Sequence, residues 1–216
     1  APRPDLVVDL AGGCGAAERL AARAGAGCHA GLPPVGIEGT ASWLRGVASA
    51  LGDESRARPF VDRELERLVG ELRWLLPRFL AGKNVLLFAD RLMLVPLARC
   101  MEELGMVIAG VGCTATGPDG NNAGWPWRAV PDDLPSLRAF TQDAVRAGEV
   151  DLVLGNSVIR QMVCDLAVPF VELGYPSCFH HVLHPAPILG FAGVRVLCER
   201  IINAIQSSRL ARDVPP

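Results

Sequence analysis

Residues 151–193 read DLVLGNSVIRQMVCDLAVPFVELGYPSCFHHVLHPAPILGFAG, and the reading of this stretch decides the fold. It opens with a short apolar run, 151–154, bounded sharply enough to be a buried strand. Gly155, Asn156 and Ser157 then turn the chain, and Ser157 is placed to cap a helix over 158–166. A second apolar run, 169–173, is the next strand. Strand, helix, strand is a βαβ unit, which implies a parallel sheet with its functional edge at the C-terminal ends of the strands. Asn156 and Ser157 follow one strand there; Cys178, His180, His181 and His184 follow the other. Of the four histidines in the chain, His180, His181 and His184 share this one loop.

Working outward, the same plan recurs. Upstream, 85–88 is a strand, 92–104 a helix closed by Gly105, and 107–111 a strand. The polar, glycine-rich loop CTATGPDGNNAGWPW (113–127) follows; its Trp125 and Trp127 either flank a ligand or partner, or pin the loop to its own domain. A helix over 134–146 leads into the opening unit, and a helix over 193–207 ends the chain before a polar tail. At the other end, DLVVDL (5–10) is a strand, Gly12-Gly13-Cys14-Gly15 a turn and 16–24 an alanine-rich helix. The turn does not complete the dinucleotide-binding GxGxxG pattern, and close helix–sheet packing explains it as well as ligand approach does. Cys28 and His29 end a short second strand. A helix over 40–51 and one long amphipathic helix over 60–80, kinked or ended by Pro77, join the halves. Strands alternating with helices give an α/β fold. The expectation is two Rossmann-like doubly wound domains with mainly parallel sheets and helices on both faces. The first is partial (1–58), the second spans 83–216, and 59–82 is a linking helix.

Composition narrows the function. The chain has 216 residues, half of them hydrophobic and a fifth charged, with a formal net charge of −2. That is a globular composition with no electrostatic case for nucleic acid or an anionic membrane. No apolar run reaches the roughly 18–20 residues that span a bilayer, and the N-terminus lacks a signal pattern. Seven cysteines at irregular spacing fit reduced thiols in a cytoplasmic protein. The absent initiator Met suggests a partial chain with family sequence upstream.

Three stretches in order carry a resemblance: GKNVLLFADRLMLVPLARCMEELGM (82–106), PPVGIEGTASWLRGVASALG (33–52) and the 151–193 segment with its VPFVELGYP, HH and LGFAG. Together they resemble the C-terminal domains of the nitrogenase component-1-type superfamily. That group holds the nitrogenase metallocluster-protein subunits, a cofactor-assembly scaffold, the dark-operative chlorophyll-precursor reductases and other nitrogenase-like reductases. Each motif is degenerate alone; the three in order are specific.

The resemblance implies a reductase subunit that passes electrons through a metal–sulfur cluster to a substrate held between α/β domains. It implies an iron–sulfur cluster or related metallocluster in the full-length protein, with the bridging-cluster cysteines in a domain outside this chain. The implied partners are a homologous subunit in a hetero-oligomer and an ATP-dependent iron–sulfur reductase protein. In the catalytic nitrogenase subunit, a loop histidine and a cysteine after the first strand of the preceding domain hold the metallocluster. By resemblance the histidine falls nearest His180, the one residue implied as a metal ligand. The cysteine's place falls at Asp9, with Cys14 beyond the turn, so this chain departs from the pattern. A different cluster or an organic substrate in the same cavity suits that departure. The implied cofactor-facing set is His180, His181, His184, Cys178, Asn156, Ser157, Gly12, Gly13 and Cys14, lining one cleft. From residue chemistry alone, imidazole and thiolate are good iron or zinc ligands, but the same histidines could bond loop carbonyls. Cys100, Cys164 and Cys198 fall in expected helices and read as core. Two other classes stay open: a non-catalytic assembly scaffold or structural subunit, and a small-molecule-binding α/β module.

Overall fold

A computed structural model of the chain describes residues 3–10, 15–114, 126–130 and 134–213. Its element order is β1 (Leu6–Asp9), α1 (Ala16–Ala24), β2 (Gly27–Ala30), α2 (Ile37–Leu51), α3 (Glu54–Leu72), a π-helical turn (Leu76–Leu80), β3 (Asn84–Ala89), α4 (Arg91–Glu103), β4 (Val107–Cys113), α5 (Leu134–Arg146), β5 (Leu152–Gly155), α6 (Ser157–Val163), β6 (Phe170–Glu172) and α7 (Gly190–Asp213). Every strand pairing is parallel: β1 with β2 in a small sheet, and β4-β3-β5-β6 in the main one. This is the α/β, doubly wound arrangement that the alternation of strands and helices implies.

The main sheet is buried on both faces, which is why its strands read as unbroken apolar runs. Along β3 the side chains alternate. Val85, Leu87 and Ala89 join one core with α4, α7, α2 and α3; Leu86 and Phe88 join the other with α5 and α6. β5 repeats this, sending Leu152 and Leu154 one way and Val153 the other. The helices before β3 share the larger core: Ala41 of α2 and Val61, Leu68 and Leu72 of α3 pack in one cluster with the sheet.

The order β4-β3-β5-β6 reverses direction between β3 and β5, the switch point of this topology. Each of these strands ends on a capping residue. Asp90 accepts from the backbone N–H groups of Leu92 and Met93, and Asn156 from those of Val158 and Ile159. The cap of α6 is therefore Asn156 and not Ser157; the Asn carboxamide oxygen reaches the free N–H groups while Ser157 is already the first helical residue. The single helix expected over 60–80 is also corrected. α3 starts at Glu54 and ends at Leu72, and Pro77, which lacks an N–H, lies in the π-helical turn that Ala81 N closes on Leu76 O at 2.9 Å.

Candidate functional site

The loop after β6 is held from beneath by one carboxylate. Glu172, the last residue of β6, is 5 % exposed. Its Oε1 accepts from the Ser157 hydroxyl, from Cys178 N at 2.8 Å and from Phe179 N at 3.3 Å. Cys178 N also reaches Ser157 Oγ at 2.6 Å. Two more bonds tie the loop to the β5–α6 turn: Ser157 N donates to Pro176 O at 2.9 Å, and Asn156 Nδ2 to Tyr175 O at 2.9 Å. Arg200 of α7 donates to the Glu172 carbonyl. Burial alone would raise the Glu172 carboxyl, but the Ser157 hydroxyl, the two loop N–H groups and the Ser177 hydroxyl favour the charged form, and the net shift is downward. Glu172 is a carboxylate at neutral pH.

Above this anchor lies a cleft of about 410 Å³ beside the open edge of β6. The loop contributes His180, His181 and His184, α6 contributes Arg160, and α7 contributes Arg200 and Asn203. The Arg160 guanidinium stands 5.5 Å from the Phe170 ring centroid and 5.8 Å from that of Phe179, both cation–π distances. The His180 imidazole is held below its usual range, first by burial, then by the Arg200 and His181 charges, with Glu172 opposing. It is neutral at pH 7, offering one N–H and one lone pair. Burial lowers Arg200 against the pull of Glu172, yet a guanidinium stays charged. α7 starts close under the loop: a Cβ on Gly193 would stand 2.4 Å from the Ile188 carbonyl carbon, so only glycine fits there.

The structure divides the expected cluster. The three imidazoles share the cleft, whereas Asn156 and Ser157 are buried behind the loop as its fastenings. Cys178 is exposed and contributes its backbone N–H to the anchor. Gly12, Gly13 and Cys14 lie outside the described residues. Among the described residues no three His, Cys, Asp or Glu side chains are placed together to hold a metal ion.

Cys100 and Cys198 are buried, and burial raises both thiols, Cys198 to about 12. Cys164 corrects the sequence reading: it follows the last turn of α6, exposed, because the helix stops at Val163. Trp127 packs on the core and its Nε1 donates to Glu102 Oε1 at 2.7 Å, pinning the end of its loop to α4; Trp125 lies outside the described residues. Reading the residues misses Glu172, Arg160 and Arg200. The one available signal is Glu172 itself, a lone charge inside the apolar run VPFVEL.

A family model described as nitrogenase component 1 type oxidoreductase matches residues 5–206. The nitrogenase molybdenum-iron protein beta chain of Methanococcus maripaludis is 29% identical over 180 residues, 80% of this chain and 38% of that one. A light-independent protochlorophyllide reductase subunit of Methylobacterium sp. (strain 4-46) is 26% identical over 181 residues, 81% of this chain and 35% of that one. A solved structure of nitrogenase Cp1 at pH 6.5 superposes with a TM-score of 0.72 at 22% identity, over 98% of this chain and 47% of that one. The chain thus spans less than half the length of these relatives.

Proposed function

We start from the fact that this chain belongs to the nitrogenase component 1 type oxidoreductase family, and we propose that it is the C-terminal part of a beta-type subunit of a nitrogenase-like reductase. In the complete protein, electrons reach a substrate bound between α/β domains through a metal–sulfur cluster. The role assigned to this chain's described residues is the substrate-side wall, with His180 as the one metal ligand that the resemblance implies. The division into 1–58, a linking helix 59–82 and 83–216 is part of the same proposal.

The observation that carries this reading is the gathering of three imidazoles and two guanidiniums in one cleft, on a loop fixed by Glu172. Reduction of a multiple bond needs protons as well as electrons, and imidazole is suited to pass them near neutral pH. His180 is the residue proposed to face the substrate, with His181 and His184 as its neighbours in the loop. The relatives are named as one chain or one subunit of a larger reductase, which favours a homologous partner here too. The loop's exposed apolar residues suit such an interface: Leu183 is 99 % and Tyr175 91 % exposed. No helix among the described residues is long and apolar enough to cross a membrane. The proposed setting is a hetero-oligomer in the cytoplasm, served by an ATP-dependent iron–sulfur reductase protein.

The test is reconstitution. Full-length protein, co-purified with its partner and supplied with ATP and an iron–sulfur reductase protein, should contain iron and turn over a reducible substrate. A complex that binds iron but only hands a cluster on to another protein would make the chain an assembly scaffold instead.

A further inference from the structure

The cleft beside β6 has a charge pattern that selects its ligand. Arg160 makes no ion pair among the described residues, although Asp143, Asp165 and several other carboxylates of the chain are paired. It is oriented by the Phe170 and Phe179 rings instead, which occupy the guanidinium without neutralising it. Arg200, Asn203 and the imidazoles add donors from the other walls. Two carboxylates line the same space. Oε1 of Glu172 is taken up by the Ser157 hydroxyl and two backbone N–H groups, while its buried Oε2 has no partner. Glu199 is exposed and makes no ion pair among the described residues, so it opposes two guanidiniums. Formally the two guanidiniums balance the two carboxylates, but Glu172 commits Oε1 to the loop while the Arg160 guanidinium is paired with no carboxylate among the described residues, so the cleft has hydrogen-bond donors in excess around Arg160. Its remaining walls are apolar, from Phe170, Phe179, Val182 and Val196, and about 410 Å³ is far more room than a bare oxyanion fills.

We propose that this cleft binds a small organic carboxylate with an apolar body, anchored by Arg160. The planar carboxylate meets the guanidinium fork edge-on, a geometry that lysine cannot reproduce. The apolar body lies along the two phenylalanine rings. This deepens the proposed function by naming a ligand class for its cleft, and it rests on that reading only for the claim that the ligand is a substrate.

Benzoate is a suitable probe, titrated into full-length protein by calorimetry and by NMR of the histidine ring protons. Benzoate should bind and shift the His180 and His181 signals, and higher ionic strength should weaken it. Neutral benzyl alcohol and inorganic phosphate should each bind at least about tenfold more weakly. Arg160→Met should weaken benzoate about tenfold or more, Arg160→Lys should recover only part of that, and both should keep the wild-type melting temperature. Unchanged binding in Arg160→Met, or equal binding of benzyl alcohol, would overturn the proposal; phosphate binding as tightly as benzoate would make the cleft a bare oxyanion site and overturn it too. Failure of the two readings is separable. Benzoate binding that depends on Arg160 in a protein without reductase activity sinks only the proposed function, whereas turnover without benzoate binding sinks only this inference.

Discussion

Two carboxylates of this chain do the same mechanical task and titrate in opposite directions. Glu103, the last residue of α4, accepts from Ile37 N at 2.6 Å and Glu38 N at 3.1 Å, closing the N-terminus of α2 from 65 residues away in sequence. Glu172 accepts from Cys178 N and Phe179 N and closes the histidine loop. For Glu103 burial wins, with the two N–H bonds opposing and the Glu38 charge adding to it, and its carboxyl is raised. For Glu172 the burial is outweighed by the same kind of N–H pair plus the Ser157 and Ser177 hydroxyls, and its carboxyl is lowered. Two extra hydroxyl donors, Ser157 and Ser177, help separate a half-buried stitch from a charged platform beneath a cleft. Burial raises both carboxyls; the hydroxyl donors at Glu172 outweigh it, while the Glu38 charge beside Glu103 adds to it.

The largest expected effect comes from removing the platform. Glu172→Ala removes the acceptor of the Ser157 hydroxyl and of Phe179 N and one of the two acceptors of Cys178 N, and should cost about 3 kcal/mol in denaturant unfolding. A loss under about 1 kcal/mol would mean the loop holds itself. Glu103→Ala removes a tertiary helix cap and should cost less, about 1–2 kcal/mol; an equal or greater loss would reverse the comparison. Ser157→Ala should cost about 1 kcal/mol, and it should also bring the Glu172 carboxyl up towards the behaviour of Glu103, measurable by carboxyl NMR titration.

The smallest effect is the most discriminating, because its sign differs between the two residues. Glu172 has a folded pKa below its unfolded value. Its contribution is complete above the usual carboxylate range and is lost as pH falls through the folded value. Glu103 has a folded pKa above its unfolded value, so its contribution is complete below that range and is lost as pH rises through the folded value. Melting temperatures of wild type and the two Glu→Gln variants between pH 3 and pH 8, roughly spanning the carboxylate range, should show the Glu172 gap widening with pH. The Glu103 gap should move the other way. Parallel curves would show that the extra hydroxyl donors at Glu172 make no difference.

Much of the fold is legible locally. The helices over 16–24 and 134–146 carry their observed bounds in the sequence, since amphipathic spacing and clear stops mark both ends. The strands of the main sheet are apolar on both faces and stand out by composition, shifted by a residue or so from where the run suggests. What the sequence does not yield is long-range. Arg200 meets Glu172 across 28 residues and Glu103 meets Ile37 across 66, and nothing in the local pattern separates such charges from a solvated helical face. Asn156 and Ser157 show the same limit: both stand at the expected turn, yet only the bonds to Tyr175, Pro176 and Glu172 reveal that they fasten the loop. His180, His181 and His184 are legible as a group because they crowd one loop, but the cations facing them come from α6 and α7.

The central claim is that the fastened loop presents His180 to the substrate of a reductase, and turnover of His180→Ala in the full-length, partner-bound enzyme tests it most directly. The predicted result is a fall in kcat of at least about tenfold, as expected for loss of a proton-transferring group, with iron content and melting temperature unchanged. Full turnover in that variant, or a loss of activity that merely follows unfolding, would contradict it.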